Sequence, residues 1–327
     1  MHEVLIIGGG PAGLTAAMYC RMRSMSVLVL DAGRSGGQLV SLYGEKPVHD
    51  WPGYHRIIAN ELASQIAQHA RQLEVEIVES RKVDDVQRLG AEGFEVLAHD
   101  VVTGEKHRHG ATALIIAIGG GAFEPRKLRV DGEEGLSEDT LTYRMPERSR
   151  SAGRRVVVVG GGDSGLESAQ AARDAGAEVT MIQVLDRFTG MQSNIDEVNR
   201  MGIPCHLNTR VKAIESENGA IRAVIAQTKG APEPLRVECD YLVVNIGAAV
   251  NLDAVKRWGI ETRGNQIVVD PQMRTSVEGI FACGDIVTYE GKYKLLITAS
   301  SEGAMAANAA YMWVRKPARM TMGDLYS

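Results

Sequence analysis

The sequence predicts an α/β fold made of two three-layer βαβ domains, one inserted in the other. Three observations carry this. The chain opens on strand, helix, strand: the apolar run 4–7 (VLII) enters Gly8, Gly9 and Gly10, residues 11–23 have helical spacing, and a second apolar run, 27–30 (VLVL), ends at Asp31. The pattern returns at 155–160 (RVVVVG), with a helix to about residue 175 and a strand at 178–183. Two further apolar strands, 113–118 and 241–246, lie on either side of this second unit and run into glycine, as where a chain leaves a domain and returns to it. The expected boundaries are 1–117 with 248–327 for the outer domain and 118–247 for the inserted one. A length of 327 residues suits two cores better than one.

The remaining elements follow in order. Residues 60–73 read as a helix, 75–78 as a strand, and 94–98 with 106–109 as an antiparallel pair. After the second βαβ unit, strands are expected near 210–214, 221–227 and 235–238. A buried strand at 279–285 (GIFACGD), ending on Asp285, and a helix at about 301–313 with small residues on one face complete the outer domain.

Composition narrows the function. Lys and Arg number 36 against 41 acids, and the net charge of −5 argues against a broad nucleic-acid surface. No apolar run approaches the ~20 residues of a membrane helix, and the N-terminus goes straight into a strand without the charged and apolar regions of a leader, so a cytoplasmic location is expected. Cys20, Cys205, Cys239 and Cys283 form no C-x-x-C pair, which points to small buried hydrophobes rather than dithiol chemistry.

The chemistry lies in the glycine turns. In Gly8-x-Gly10-x-x-Gly13 the first glycine allows the tight turn, the second admits the pyrophosphate close to the backbone, and the third lets helix and strand pack closely. Pro11 and Ala12 open the helix whose N-terminus receives the phosphates. Asp31, followed by Ala32, is placed to accept from the adenosine ribose. Gly160-x-Gly162-x-x-Gly165, with Asp163 and Ser164, repeats the signature. Its second strand ends in Gln183, which can hydrogen-bond a ribose but lacks the charge that selects NAD.

The chain resembles the thioredoxin-reductase-like superfamily and, within it, the ferredoxin/flavodoxin–NADP+ reductases of bacterial type. The residues that carry the likeness are GGGPAGL at 8–14, GGQL at 36–39, LYGEK at 42–46, GAFEPRKL at 121–128, GGGDS at 160–164, RWGI at 257–260 and CGDIVTYEGKYKL at 283–295, nearly the whole chain. The resemblance implies two Rossmann-like domains, FAD in an extended pose, and a homodimer. It places Gly37, Gln38 and Leu39 along the isoalloxazine and Tyr43 stacked on it, with Asp50, Gly119 and Phe123 nearby. Asp285 and Ile286 would hold the ribityl chain and pyrimidine edge. For Tyr43 a plain core tyrosine is the alternative.

The chain also departs from its relatives. Thioredoxin reductases share the DWPGY segment at 50–54 but carry C-x-x-C before the second glycine turn, where this chain has Tyr143, Arg144, Met145 and Pro146. A class of disulfide reductases for low-molecular-weight thiols has a cysteine where Ala12 stands. NADPH users carry His-Arg-Arg after the second strand of the inserted domain, a clamp for the 2′-phosphate. Here Gln183, Val184, Leu185, Asp186 and Arg187 stand instead, so NADPH is expected to bind poorly. Tyr326, near the C-terminus, is either a substitute lid on the flavin or part of a frayed tail.

Three functions fit. The first takes hydride from NADH or NADPH to flavin N5 and passes single electrons to a ferredoxin or flavodoxin, with no side chain required as general acid or base. Arg21, Arg23, Arg126, Lys127 and Arg129 would dock the acidic carrier, or are simply a solvated face. The second is a flavoprotein with little or no NADPH use, reduced by ferredoxin or another carrier. The third is a flavin-binding module without turnover.

Overall fold

The computed structural model describes residues 1–90, 92–120, 124–249 and 252–316. The chain separates into two compact units, Met1–Ala122 with Val250–Ser327, and Phe123–Ala249.

The first unit begins with β1 (His2–Ile7), α1 (Pro11–Met22), β2 (Val27–Leu30), α2 (Ala59–Gln72), β3 (Glu76–Val78), β4 (Arg81–Arg88), β5 (Phe94–Asp100) and β6 (Lys106–Ile116). β1 is central and pairs in parallel with β2 on one edge and β6 on the other, while β3 extends the ladder beyond β2. Strands covered on both faces read as unbroken apolar runs, and Val4, Leu5, Ile6, Leu28, Val29 and Leu30 are accordingly buried.

The antiparallel strand expected at 106–109 and the apolar strand expected at 113–118 are one strand, β6. Its polar first half pairs with β5, and on the same edge its apolar second half takes a late strand, Ile280–Ala282. The composition changes midway because the neighbours change midway. β4, unanticipated, carries only two apolar residues, Val83 and Val86, and pairs with β5 along the exposed end of the sheet.

In the second unit come β7 (Arg155–Val159), α3 (Asp163–Asp174), β8 (Glu178–Ile182), α4 (Gln192–Arg200), β9 (Thr209–Glu217), β10 (Ala220–Thr228), β11 (Leu235–Glu238) and β12 (Tyr241–Val244). A parallel sheet runs in the order Leu141–Thr142, β12, β7, β8, Cys205–His206, and β9 to β11 form a separate antiparallel sheet. Alternate residues of β7 feed two cores, one on each face: Val156 and Val158 pack with Leu166, Ala169 and Tyr241, whereas Val157 and Val159 pack with Ile182, Leu242 and Val244. Arg155 closes the base of this sheet by a two-pronged contact with Asp240, at 3.0 and 2.6 Å.

The chain then returns to the first unit with β13 (Ile280–Ala282) and α5 (Leu296–Arg315). The strand expected at 279–285 is shorter, because after Ala282 the backbone tightens into a 3-10 turn at Gly284–Ile286. α5 starts earlier than its small residues suggested: Thr298 caps it, its hydroxyl accepting from the Leu295 amide at 3.2 Å. The small residues serve helix contact. A methyl group on Gly303 would lie 2.2 Å from the carbonyl oxygen of Ala12, so α1 and α5 cross almost backbone to backbone. Among the described residues, no helix is long and apolar enough to cross a membrane.

Candidate functional site

The first glycine turn forms a cradle at the carboxyl end of β1, where ligands of open α/β sheets bind. Gly8, at φ +108°, lies so close to β6 that an added Cβ would stand 2.4 Å from the Ala117 carbonyl oxygen. A Cβ on Gly13 would stand 1.9 Å from the Gly8 carbonyl oxygen, so helix and strand touch there. Gly10 is different: its backbone is extended, and its nearest neighbour would be the Gly37 Cα at 3.8 Å. Its front is open. Gly10 caps α1 without any side-chain hydrogen bond, Pro11 fills the first position, and no acid stands in the first turn. The helix N-terminus thus presents amide N–H groups and the positive end of its dipole, which suits a pyrophosphate.

Asp31 closes one side. Its two carboxylate oxygens accept from the amides of Gly9, at 2.5 Å, and Gly33, at 2.7 Å, and each keeps a lone pair for a further donor. Burial pushes the carboxyl above the usual carboxylate range, the two amide bonds pull it back, and nearby Glu79 adds to the rise. Ala32 is exposed beside it.

The second glycine segment is stitched to the first. The Gly36 amide donates to the Gly9 carbonyl at 2.8 Å, and a Cβ on Gly37, at φ +57°, would meet the Gly10 Cα at 2.9 Å. Gln38 and the buried Leu39 begin the helical turn Gln38–Ser41, and the Gln38 side-chain Nε2 lies 3.5 Å from where a Gly119 Cβ would be. Tyr43 is half-buried against the core, its amide donating to the Gln38 carbonyl, with the Lys46 ammonium 5.3 Å from its ring centre. Half-burial suits both of the roles weighed for Tyr43. Asp50 is exposed after the short strand Pro47–Val48.

The turn Gly284–Ile286 comes to the same end of the sheet. A Cβ on Gly284, at φ +83°, would stand 3.0 Å from the Ala12 Cβ, which sets the turn against the start of α1; Asp285 is half-buried and Ile286 buried. The structure thus gathers the turn 8–13, Asp31, residues 36–39, Gly119 and the Asp285 turn into one region. Phe123 and Tyr326 lie outside the described residues.

Sequence reasoning missed the group beneath that turn. Glu302 of α5, 2% exposed, accepts from the Gly284 amide at 2.8 Å, the Tyr289 hydroxyl at 2.8 Å and the Lys292 ammonium at 2.5 and 2.7 Å. The available signal was an acid in the middle of a helix of small and apolar residues, SSEGAMAANAA.

The copy in the second unit repeats the backbone. A Cβ on Gly160, at φ +123°, would stand 2.2 Å from the Asn245 carbonyl oxygen, and one on Gly165 would stand 2.3 Å from that of Gly160. Gly162 is open, meeting only the Thr189 hydroxyl at 3.7 Å. Asp163 opens α3, its carboxylate accepting from the Met191 amide at 2.7 Å and the Asn194 side chain at 2.8 Å, with the half-buried Ser164 next to it. Gln183 is buried and turned onto its own loop: its amide nitrogen donates to the Arg187 carbonyl at 3.1 Å and its oxygen accepts from the Val184 amide at 3.1 Å. The space over Gly161 is filled by Gln183 and Phe188. Arg187 extends into solvent, 3.1 Å from the Asp186 carboxylate.

The four thiols are unpaired. Cys20, Cys239 and Cys283 are buried and Cys205 half-buried; burial pushes Cys20 and Cys239 up to about 12, Cys205 to about 11, and Cys283 higher still. None has the low pKa of a redox nucleophile.

Residues 2–303 match the model of the pyridine nucleotide-disulphide oxidoreductase family. The chain is 34% identical to ferredoxin–NADP reductase 2 of Shouchella clausii, over 99% of this chain and 96% of the relative, and 35% identical to ferredoxin–NADP reductase 2 of Chloroherpeton thalassium, over 94% and 90%. Its fold is similar to that of the solved thioredoxin reductase of T. acidophilum (TM-score 0.85, 27% identity, 95% of this chain and 97% of the other) and of Lactococcus lactis (0.85, 26%, 97% and 100%).

Proposed function

The chain belongs to the pyridine nucleotide-disulphide oxidoreductase family, and on that premise we propose that it is an FAD-dependent oxidoreductase passing electrons between a nicotinamide dinucleotide and a ferredoxin- or flavodoxin-type carrier. The observation that carries this is the open face at Gly10, before an uncapped helix N-terminus and beside Asp31. Every other glycine of that turn is pressed against backbone or side chain, so the one gap is where a phosphate fits. FAD held there supplies hydride acceptance and single-electron release.

The chain's own residues bind and orient. Gly10, Ala12 and Gly13 present amides to the pyrophosphate, Asp31 accepts from the adenosine ribose, and residues 37–39 with Gly119 line the isoalloxazine. Tyr43 stacks on that ring, and Asp285 with Ile286 holds the ribityl chain. In this reading residues 1–117 and 248–327 form the FAD domain, 118–247 the nicotinamide domain, and the protein is a cytoplasmic homodimer. The thiol arrangement supports electron transfer to a carrier over reduction of a disulfide. The curated relatives are named for ferredoxin and NADP.

A second reading concerns the nicotinamide. Gln183 turns one hydrogen bond from each end of its uncharged amide onto its own loop, and Asp186 stands beside the one local arginine; both favour NADH over NADPH, or reduction by a carrier alone. Stopped-flow mixing of the flavoprotein with NADH, NADPH and reduced ferredoxin decides. Rapid bleaching by either nucleotide supports the main reading, and faster bleaching by NADPH than by NADH sinks the second. Bleaching by ferredoxin alone selects a carrier-reduced flavoprotein. Steady turnover with an artificial acceptor excludes a binding module.

A further inference from the structure

The FAD reading assigns the turn Gly284–Ile286 to the ribityl chain, but leaves open what holds that turn in place. Gly284 has a positive φ and no side chain. Gln266 Nε2 holds the far end of the turn, donating to the carbonyls of Asp285, at 3.5 Å, and Val287, at 2.9 Å. The partner of the Gly284 amide is in α5. Glu302 is 2% exposed, and its two oxygens share four contacts from three donors: the Tyr289 hydroxyl and Lys292 ammonium on Oε1, the Gly284 amide and the same ammonium on Oε2. Lys292 is itself 6% exposed, so both charges are out of water.

Such a pair is poor evidence for stability, because apolar side chains of the same size often stabilise as well. What an apolar side chain lacks is an acceptor aimed at the Gly284 N–H. The next residue of the helix, Gly303, lies against the Ala12 carbonyl, and Gly284 lies against the Ala12 Cβ. One stretch of α5 therefore touches both the phosphate-binding end of α1 and the Asp285 turn. Lys292 and Tyr289, from the loop between that turn and the helix, hold the carboxylate to one orientation.

We propose that Glu302 is a positioning residue for FAD, its carboxylate fixing the Gly284–Ile286 turn against the N-terminus of α1 while Lys292 and Tyr289 hold it there. The inference rests on the FAD reading. Its role is to set the distance between the two places where the cofactor is gripped.

The test is FAD titration of the full-length flavin-free protein, followed by quenching of FAD fluorescence, with the melting temperature of the flavin-free protein read alongside. Wild type takes up FAD; failure to do so defeats the FAD reading, not this one. Glu302→Ala removes the acceptor and is expected to raise Kd roughly tenfold or more, with altered shoulders on the bound flavin's absorption bands. Glu302→Gln keeps an oxygen for the Gly284 amide, and Lys292, on a loop with exposed neighbours, swings out to water. Kd then stays within about threefold of wild type although the melting temperature falls in both variants. A merely structural Glu302 would lower both melting temperatures and leave both Kd values alone; that result, or equal rises in Kd, overturns the proposal. Should Glu302→Ala not fold, Lys292→Met decides: unlike the neutral amide of Glu302→Gln, it leaves a buried carboxylate without its counter-charge, which turns from the Gly284 amide towards water and raises Kd roughly three- to tenfold, and an unchanged Kd refutes the role.

Discussion

Replacing Gly10 by alanine separates cofactor binding from folding. The Gly10 backbone, at φ −75° and ψ −179°, accepts any L-residue, and the new methyl would find only the Gly37 Cα at 3.8 Å. Loss of a glycine helix cap costs about 1 kcal/mol, a fall of about 2–4 °C in the melting point of the flavin-free protein. The methyl does, however, occupy the face offered to the pyrophosphate. Pushing that group out of reach of two amides, at about 1.5 kcal/mol for each hydrogen bond to a charged group, gives about 3 kcal/mol, or roughly 150-fold in Kd. Gly13→Ala is the opposite case. Its methyl would stand 1.9 Å from the Gly8 carbonyl oxygen and 3.2 Å from the Ala117 Cβ, so α1 must withdraw from β1, with overpacking of about 1–3 kcal/mol or more. Thermal melts and FAD titration of both flavin-free variants make the assay. If Gly10→Ala binds FAD within about threefold of wild type, or melts lower than Gly13→Ala, the placement of the pyrophosphate is wrong.

Two further outcomes are expected. Asp186→Asn frees Arg187 from the carboxylate 3.1 Å away and should lower KM for NADPH roughly two- to fivefold, the size of a solvent-screened charge contact, with KM for NADH unchanged; equal changes for both nucleotides refute the 2′-phosphate argument. The Arg155 guanidinium holds the Asp240 carboxyl down at about 2, so this group adds stability above the ordinary value of 3.8, and that stability is lost as pH falls through 2. Asp240→Asn should therefore lower the melting point at pH 7, with the gap to wild type closing between about pH 4 and pH 2; a gap that persists at pH 2 refutes the ion pair as its cause.

Much of the site was legible because glycine turns are local. The spacing of Gly8, Gly10 and Gly13 answers to contacts within one strand–turn–helix unit, and Asp31 lies at the end of the next strand. Glu302 and Lys292 were not legible as partners: ten residues apart in sequence, they meet only because the loop before α5 folds back along the helix. Gln183 was identified as uncharged, but its commitment to the 184–187 loop depends on side-chain direction, which composition does not encode.

The sequence by itself determined two βαβ units with a glycine cradle in each, Asp31 ending the second strand of the first and Gln183 that of the second, since periodicity and turn chemistry are properties of short segments. The tertiary structure decided which cradle face stays open, that one strand serves both halves of the first sheet, and that a buried carboxylate secures the Asp285 turn. Those depend on which backbone comes within about 3 Å of which, and packing between segments far apart in the chain sets that distance.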